Sequence, residues 1–147
     1  MNEPLLRKSD KIFLAGATGM VGSSIERTLK KYGYGKKEYG GDLLKPSRDI
    51  LDLTHPKNVD LWIKKNKPDI TIIAAAKVGG ILANNNFPAD FLLENLKIQN
   101  NIIESSFYNG VRRLLFLGSS CIYPKHSKQP IREDYLLNGK LEQTNEW

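Results

Sequence analysis

Between Lys11 and Gly22 the chain reads Lys-Ile-Phe-Leu-Ala-Gly-Ala-Thr-Gly-Met-Val-Gly, an apolar run that flows into glycines at 16, 19 and 22. No other stretch restricts the fold so tightly. Without a Cβ, position 16 lets a strand turn sharply, position 19 lets a pyrophosphate approach the backbone, and position 22 lets the next helix lie close. A helical pattern follows at once, with Val21, Ile25 and Leu29 inward and Glu26, Arg27, Lys30 and Lys31 outward. A strand before and a helix after is the context this spacing needs to act as a phosphate-binding turn. The first amides of such a helix lack intrahelical partners and sit at the positive end of a dipole worth about +0.5 charge, so they favour an anionic diphosphate. The competing reading is a tight strand-to-helix turn with no ligand.

Strand and helix patterns alternate along the rest of the chain. Strands are expected at Lys11–Ala15, at about Asp42–Lys45, at Ile50–Leu53, over the wholly apolar Ile70–Ala76 and at Arg113–Leu117. Helices are expected from the glycine turn to about Tyr32, from Pro56 to Asn66 and from Ala89 to Tyr108. Lysine- and glycine-rich residues to Gly41 form one connection, and Val78–Asn86 reads as a loop. Ile70–Ala76 has the composition of a strand buried on both faces. This alternation predicts an α/β fold, a Rossmann-type doubly wound parallel sheet that breaks off after its fifth strand, with ligands outside the carboxyl ends of the strands. The last strand would keep one apolar edge unpaired, a hazard for aggregation. Residues 1–147 are therefore read as one incomplete NAD(P)-binding domain, the front part of a larger enzyme.

At 147 residues and 40% hydrophobic content the chain suits a single globular domain. No run of about 18 apolar residues occurs, and Met-Asn-Glu-Pro-Leu-Leu-Arg-Lys at the start lacks the apolar core of a signal peptide. The expectation is a cytoplasmic protein with no membrane partner. One cysteine excludes an internal disulfide, and no metal-ligand spacing is present. The net charge of +6 could suggest a polyanion. Lys30, Lys31, Lys36, Lys37, Lys64, Lys65 and Lys67, however, fall near the ends of expected helices, where cations are favourable without any ligand, and no nucleic-acid partner is expected.

Several segments together resemble a known enzyme family. These are Ala15-Gly-Ala-Thr-Gly-Met-Val-Gly-Ser23, Ala74-Ala-Ala-Lys-Val-Gly-Gly-Ile81, Ala83-Asn-Asn, Pro88-Ala-Asp-Phe91 and, most specifically, Leu115-Phe-Leu-Gly-Ser-Ser-Cys-Ile-Tyr-Pro-Lys125. From Lys11 to Trp147 the chain is similar to the GDP-L-fucose synthases. These are extended short-chain dehydrogenase/reductases that epimerise and then reduce GDP-4-keto-6-deoxymannose. A ketone at the sugar's fourth carbon acidifies the protons on either side, so an acid/base pair can invert the third and fifth carbons before a hydride reduces the ketone.

The resemblance implies roles for particular residues. Gly16, Thr18, Gly19, Met20, Val21 and Gly22 would hold the coenzyme diphosphate. Arg48 would meet the extra phosphate of NADP(H), although Thr18 stands where some members carry a second arginine for it. Asp42, 20 residues after Gly22, is a tempting ribose ligand, but it begins its strand instead of ending it. Asp52 and Leu53 resemble adenine contacts, against the simpler reading of a turn-capping aspartate beside a core leucine. Ala74, Ala75 and Ala76 would line the dinucleotide, against the simpler reading of small residues that pack a helix. Lys77, Val78, Gly79, Gly80, Asn84 and Asn85 resemble the loop facing nicotinamide and sugar, against a solvated turn. Asn95 reads as a helix-packing residue, and His55 and His126 as surface residues.

Ser119 matches the serine that hydrogen-bonds the ketone oxygen, against the simpler reading of a strand end whose serines cap turn amides. Cys121 matches the acid/base cysteine, whereas a lone intracellular cysteine is more often a buried inert thiol. In the family, the tyrosine of a Tyr-x-x-x-Lys helix comes straight after the Thr-Asn-Glu segment seen here at Thr144–Glu146, and neither that helix nor the substrate lobe is encoded in these residues. The 147 residues are expected to be inactive by themselves. In the complete enzyme the partners would be a GDP-keto-deoxysugar and a second subunit. The helix over Ala89–Tyr108 resembles one of two that each subunit gives to a four-helix bundle; its companion is missing, which argues against a dimer of this stretch by itself. The rival readings are another sugar-nucleotide epimerase or dehydratase, or a non-catalytic dinucleotide-binding module.

Overall fold

A computed structural model describes residues 4–145. Glu146 of the Thr-Asn-Glu segment and the terminal Trp147 lie outside the described residues. The chain divides into two units, Met1–Ala76 with Glu94–Leu117, and Lys77–Leu93 with Gly118–Trp147.

The first unit is built on four parallel strands, β1 (Lys11–Ala15), β2 (Asp42–Leu44), β3 (Ile70–Ile73) and β4 (Arg113–Phe116), in the spatial order β2-β1-β3-β4. Alternation along β1 divides the core in two. Ile12 and Leu14 pack with Ile70, Ile72 and Leu29 of α1 (Met20–Lys31). Phe13 and Ala15 pack with Ile73, with Val59 and Ile63 of α2 (Pro56–Asn66) and with Ile98 and Ile102 of α4 (Pro88–Tyr108). The sheet is thus covered on both faces, and every residue of β3 is buried, which is why its sequence shows no polar alternation. The Arg112 guanidinium, just before β4, donates from Nη2 to both carboxylate oxygens of Asp10 at 2.8 Å and ties the starts of the outer and central strands together.

The strand expected at Ile50–Leu53 does not form, so the described sheet has four strands, not five. The Ser47 carbonyl accepts from the amides of both Ile50 (3.1 Å) and Leu51 (3.0 Å), curling the segment into a turn. Leu51 then drops into the α2/α4 core at 4% exposure while Ile50 stays 70% exposed. The apolar letters mark a plug, not a ladder. The expected strand over Ile70–Ala76 stops at Ile73, although the Ala74 amide still donates to the Ala15 carbonyl at 2.9 Å.

Among the described residues β4 is an edge strand, paired only with β3, and Leu114, Leu115 and Phe116 are 37%, 51% and 45% exposed. The unpaired apolar edge expected from the sequence is therefore present. In the second unit the expected loop over Val78–Asn86 contains a short helix, α3 (Ile81–Asn86), capped by Gly80. That unit also holds the first turns of α4, up to Leu93, and short 3-10 turns at Ser120–Ile122, Glu133–Tyr135 and Gln143–Asn145.

Candidate coenzyme site and catalytic segment

β1 leads into Gly16, whose backbone takes φ +83°, a conformation open to glycine at little cost. The chain leaves β1 for β2 on one side and returns to β3 on the other, so the end of β1 is where the strand order reverses and where a crevice opens in such sheets. A Cβ at 16 would come within 2.6 Å of the Ala74 carbonyl oxygen at the end of β3. A Cβ at 22 would come within 2.0 Å of the Gly16 carbonyl oxygen, so the absent side chain lets α1 start hard against the turn. Position 19 differs, because a Cβ there would meet only the Gly16 carbonyl oxygen, at 3.4 Å.

Gly19 is the N-cap of α1, with extended backbone and no side-chain cap. The first intrahelical bond is donated by Ser23 to the Gly19 carbonyl at 2.9 Å, so the amides of Met20, Val21 and Gly22 precede the helical ladder. Thr18 and Gly19 are exposed, and Met20 is 88% exposed. An uncapped helix start, open space above Gly19 and glycines elsewhere that bring the walls in fit a diphosphate, and these residues would hold the coenzyme's bridging phosphates.

At the end of β2 the charges are cationic. Lys45 directly follows the strand, its Nζ 2.5 Å from Glu26 Oε1 on α1, and the same oxygen takes Lys30 Nζ at 2.5 Å. The Lys30 ammonium, then that of Lys45, holds the Glu26 carboxyl at about 2. Arg48 is 76% exposed and its Nη2 stands 3.6 Å from Glu94 Oε1. Asp42 pairs in register with Lys11 at the opposite, amino end of the strands, where it cannot serve the crevice. Lys45 carries no motif letter in the sequence; its place one residue past β2 is the signal that singles it out.

Asp52 acts as a turn cap in this structure: its Oδ1 accepts from the Thr54 amide (2.9 Å) and hydroxyl (2.8 Å), and these bonds lower its pKa. Leu53 packs against the core and its carbonyl accepts from Asn101 Nδ2 at 2.9 Å. The simpler readings of both residues therefore hold in the fold, and the second Asp52 oxygen lies 3.7 Å from His55 Nε2. Ala75 and Ala74 pack on the two opposite core clusters. Asn95 is half-buried.

In the second unit Ser119 caps the turn Ser120–Ile122, its Oγ accepting from the Cys121 amide at 3.1 Å. Cys121 is a free, exposed thiol, not a buried one. Lys77 Nζ lies 5.4 Å from the Phe91 ring centroid, and a Cβ on Gly79 would lie 2.7 Å from Phe91 Cζ, so glycine lets this loop close on the aromatic ring. Val78 is 83% exposed and Gly80 has open space around it. Asn84 is half-buried on α3 and Asn85 exposed; His126 is exposed, as is His55 of the first unit. A Tyr32-x-x-x-Lys36 string occurs just past α1, but the helix ends at Lys31, so these two side chains do not share a helical face. Among the described residues no three His, Cys, Asp or Glu side chains gather to hold a metal, and no helix is long and apolar enough to cross a membrane.

Comparison with known proteins gives a consistent set of relatives. Residues 12–147 match the model of the NAD dependent epimerase/dehydratase family. The chain is 52% identical over 143 residues to a putative GDP-L-fucose synthase 2 of Arabidopsis thaliana, covering 97% of this chain and 42% of that protein. It is 48% identical over 136 residues to the GDP-L-fucose synthase of Escherichia coli K12, covering 92% and 40%. Among solved structures it superposes on a GDP-mannoheptose C4 reductase from Campylobacter jejuni with NADP bound (TM-score 0.84, 37% identity, covering 95% of this chain and 42% of that one). It also superposes on a GDP-L-fucose synthetase from Naegleria fowleri bound to NADP (TM-score 0.77, 27% identity, covering 95% and 40%). The chain thus spans about 40% of the length of the curated relatives it matches.

Proposed function

Because this chain belongs to the NAD dependent epimerase/dehydratase family, we propose that it forms the coenzyme-binding part of an NADPH-dependent GDP-4-keto-6-deoxymannose 3,5-epimerase/4-reductase, which makes GDP-L-fucose. The observation that carries the coenzyme half is the β1–α1 turn, closed at Gly16 and Gly22 and open at Gly19 above an uncapped helix start. The substrate half rests on the relatives named GDP-L-fucose synthase and on the Gly118-Ser-Ser-Cys-Ile-Tyr-Pro-Lys125 segment.

In this reading the amides of Met20, Val21 and Gly22 bind the diphosphate, and Arg48 meets the adenosine phosphate that distinguishes NADPH. Asp52, kept ionised by its Thr54 bonds, meets the adenosine through Oδ2, which the exposed His55 ring at 3.7 Å yields. Ala74–Ala76 leave room for the dinucleotide, and Lys77–Gly80 with Asn84 and Asn85 face nicotinamide and sugar. The coenzyme supplies the hydride that reduces the ketone. Ser119 spends a lone pair on the Cys121 amide, which leaves its hydroxyl proton to donate to the ketone oxygen. The exposed Cys121 thiol exchanges protons at the carbons flanking that ketone. A GDP-keto-deoxysugar and a second subunit are the partners of the complete enzyme, working in the cytoplasm.

Calorimetry on the 147-residue polypeptide tests the coenzyme half: NADPH is expected to bind at least tenfold tighter than NADH, and comparable affinities overturn the preference. By itself the polypeptide is expected to turn over no keto sugar, because the Tyr-x-x-x-Lys helix of the resemblance is not among its residues. The chemistry is tested by grafting residues 1–147 in place of the matching segment of the E. coli relative. That chimaera should make GDP-L-fucose, and Cys121→Ser within it should lose epimerisation far more than reduction. A chimaera that only reduces would favour a C4 reductase like the Campylobacter protein, and equal losses in both steps would remove Cys121 from the mechanism.

A further inference from the structure

The end of β2 carries one more cation than the surrounding structure needs. Glu26 Oε1 receives two ammonium groups, Lys30 from the next turn of the same helix and Lys45 from the first position beyond the strand. One carboxylate with two lysines leaves a net positive charge. The Lys30 pair is an i,i+4 contact that the helix maintains by its own geometry. Lys45 can therefore leave Glu26 without stranding the carboxylate, whose side chain is 15% exposed, while Lys45 itself is 43% exposed and free to swing on its four-carbon stem. In a doubly wound sheet the residues just past the second strand read the adenosine ribose: an acid there accepts from the 2′-hydroxyl, and a cation nearby donates to a 2′-phosphate. Here that first position holds a lysine, and Arg48 follows three residues later.

We propose that Lys45, positioned at the end of β2 by Glu26, is a second cation for the adenosine 2′-phosphate of NADPH and acts there beside Arg48. The inference rests on the coenzyme reading given above and adds to it a residue that sets the choice between NADPH and NADH. Lys45 reaches Glu26 on α1 and Arg48 reaches Glu94 on α4, on opposite faces of the sheet, so a dianionic phosphate at the end of β2 would draw both exposed side chains from these carboxylates toward itself as charge-assisted donors. NADH, with a hydroxyl in that place, gains nothing from either. Glu26 keeps the lysine aimed along the strand end until the phosphate displaces it, and Lys30 then balances Glu26 alone.

Calorimetric titrations of the 147-residue chain with NADPH, NADH and adenosine 2′,5′-bisphosphate test this. Lys45→Met is expected to weaken NADPH and the bisphosphate about tenfold and to leave NADH within twofold, lowering the salt dependence of NADPH binding as well. Lys64→Met, at the far end of α2, removes the same formal charge and should leave all three affinities within twofold. Unchanged NADPH affinity in Lys45→Met, or an equal loss for NADH, overturns the role of Lys45 while the coenzyme reading stands. Failure of the unaltered chain to bind either coenzyme overturns both. Thermal unfolding of each variant confirms that the comparison is between folded proteins.

Discussion

At the scale of single residues, the glycine turn separates what folding needs from what the proposed coenzyme binding would need. Gly22→Ala places a methyl 2.0 Å from a backbone carbonyl oxygen that has no rotamer to retreat into. Overpacking of this kind costs about 1–3 kcal/mol, so the variant should show a clear drop in urea midpoint together with any loss of coenzyme affinity. Gly19→Ala puts its methyl 3.4 Å from the nearest atom at a backbone conformation any L-residue adopts. Its stability cost should stay at about 1 kcal/mol or less, the difference between glycine and alanine as an N-cap, while NADPH affinity falls at least tenfold because the methyl stands over the open amides. Both variants losing stability equally would contradict this separation. The three glycines were legible in the sequence because their spacing encodes a backbone shape. Lys45 was not, because its meaning depends on where a three-residue strand ends and on a carboxylate 19 residues away. Ser119 and Asp52 show the intermediate case, in which a residue proposed to meet substrate or coenzyme performs the modest capping job that its side chain would do anywhere.

At the scale of elements, sequence reading succeeded where periodicity ran long and failed where apolar letters were few. α2 was bounded at both ends by Pro56 at its first turn and by Lys67 in the left-handed conformation just past it. The tetrad Ile50–Leu53 is too short to distinguish a ladder from a plug, and two amides converging on the Ser47 carbonyl decided for the plug. α3 was hidden because Gly79-Gly80 and three successive asparagines are turn formers in isolation. The edge strand β4 was foreseeable, since a strand of Leu-Leu-Phe with nothing beyond it in the pattern leaves backbone donors and apolar side chains unpaired. That edge has a consequence in solution. Leu115 is 51% exposed in register with Ile72 on the α1 side of the sheet, and a lysine on an edge strand opposes strand-to-strand pairing. Sedimentation of the 147-residue chain should show concentration-dependent association that Leu115→Lys reduces, with circular dichroism unchanged. Identical association by the two proteins would mean that the edge is not what sticks.

Across the whole molecule, acid should act through carboxylates that the fold keeps ionised. Glu26 is held at about 2 by Lys30 and then Lys45, against an ordinary value of 4.5. Asp52 is lowered by the Thr54 amide and hydroxyl, and Glu142, in the other unit, by the Lys125 ammonium. A folded-state value below the unfolded one means that the unfolded chain binds protons first as pH falls. The stabilisation is therefore complete above about 4.5 for Glu26 and is withdrawn as pH falls from there to about 2. The net charge of +6 adds to this, because each carboxylate protonated leaves the lysines and arginines with less to oppose their mutual repulsion. Urea midpoints measured from pH 6 to pH 2 should fall through that window. Glu26→Gln removes the largest of these contributions, so its midpoint should lie below that of the unaltered chain at pH 6, decline less steeply between pH 4.5 and pH 2, and meet the unaltered curve near pH 2. Parallel curves across the window would assign the acid sensitivity to other groups and reduce the Lys30–Glu26–Lys45 cluster to a solvated surface contact.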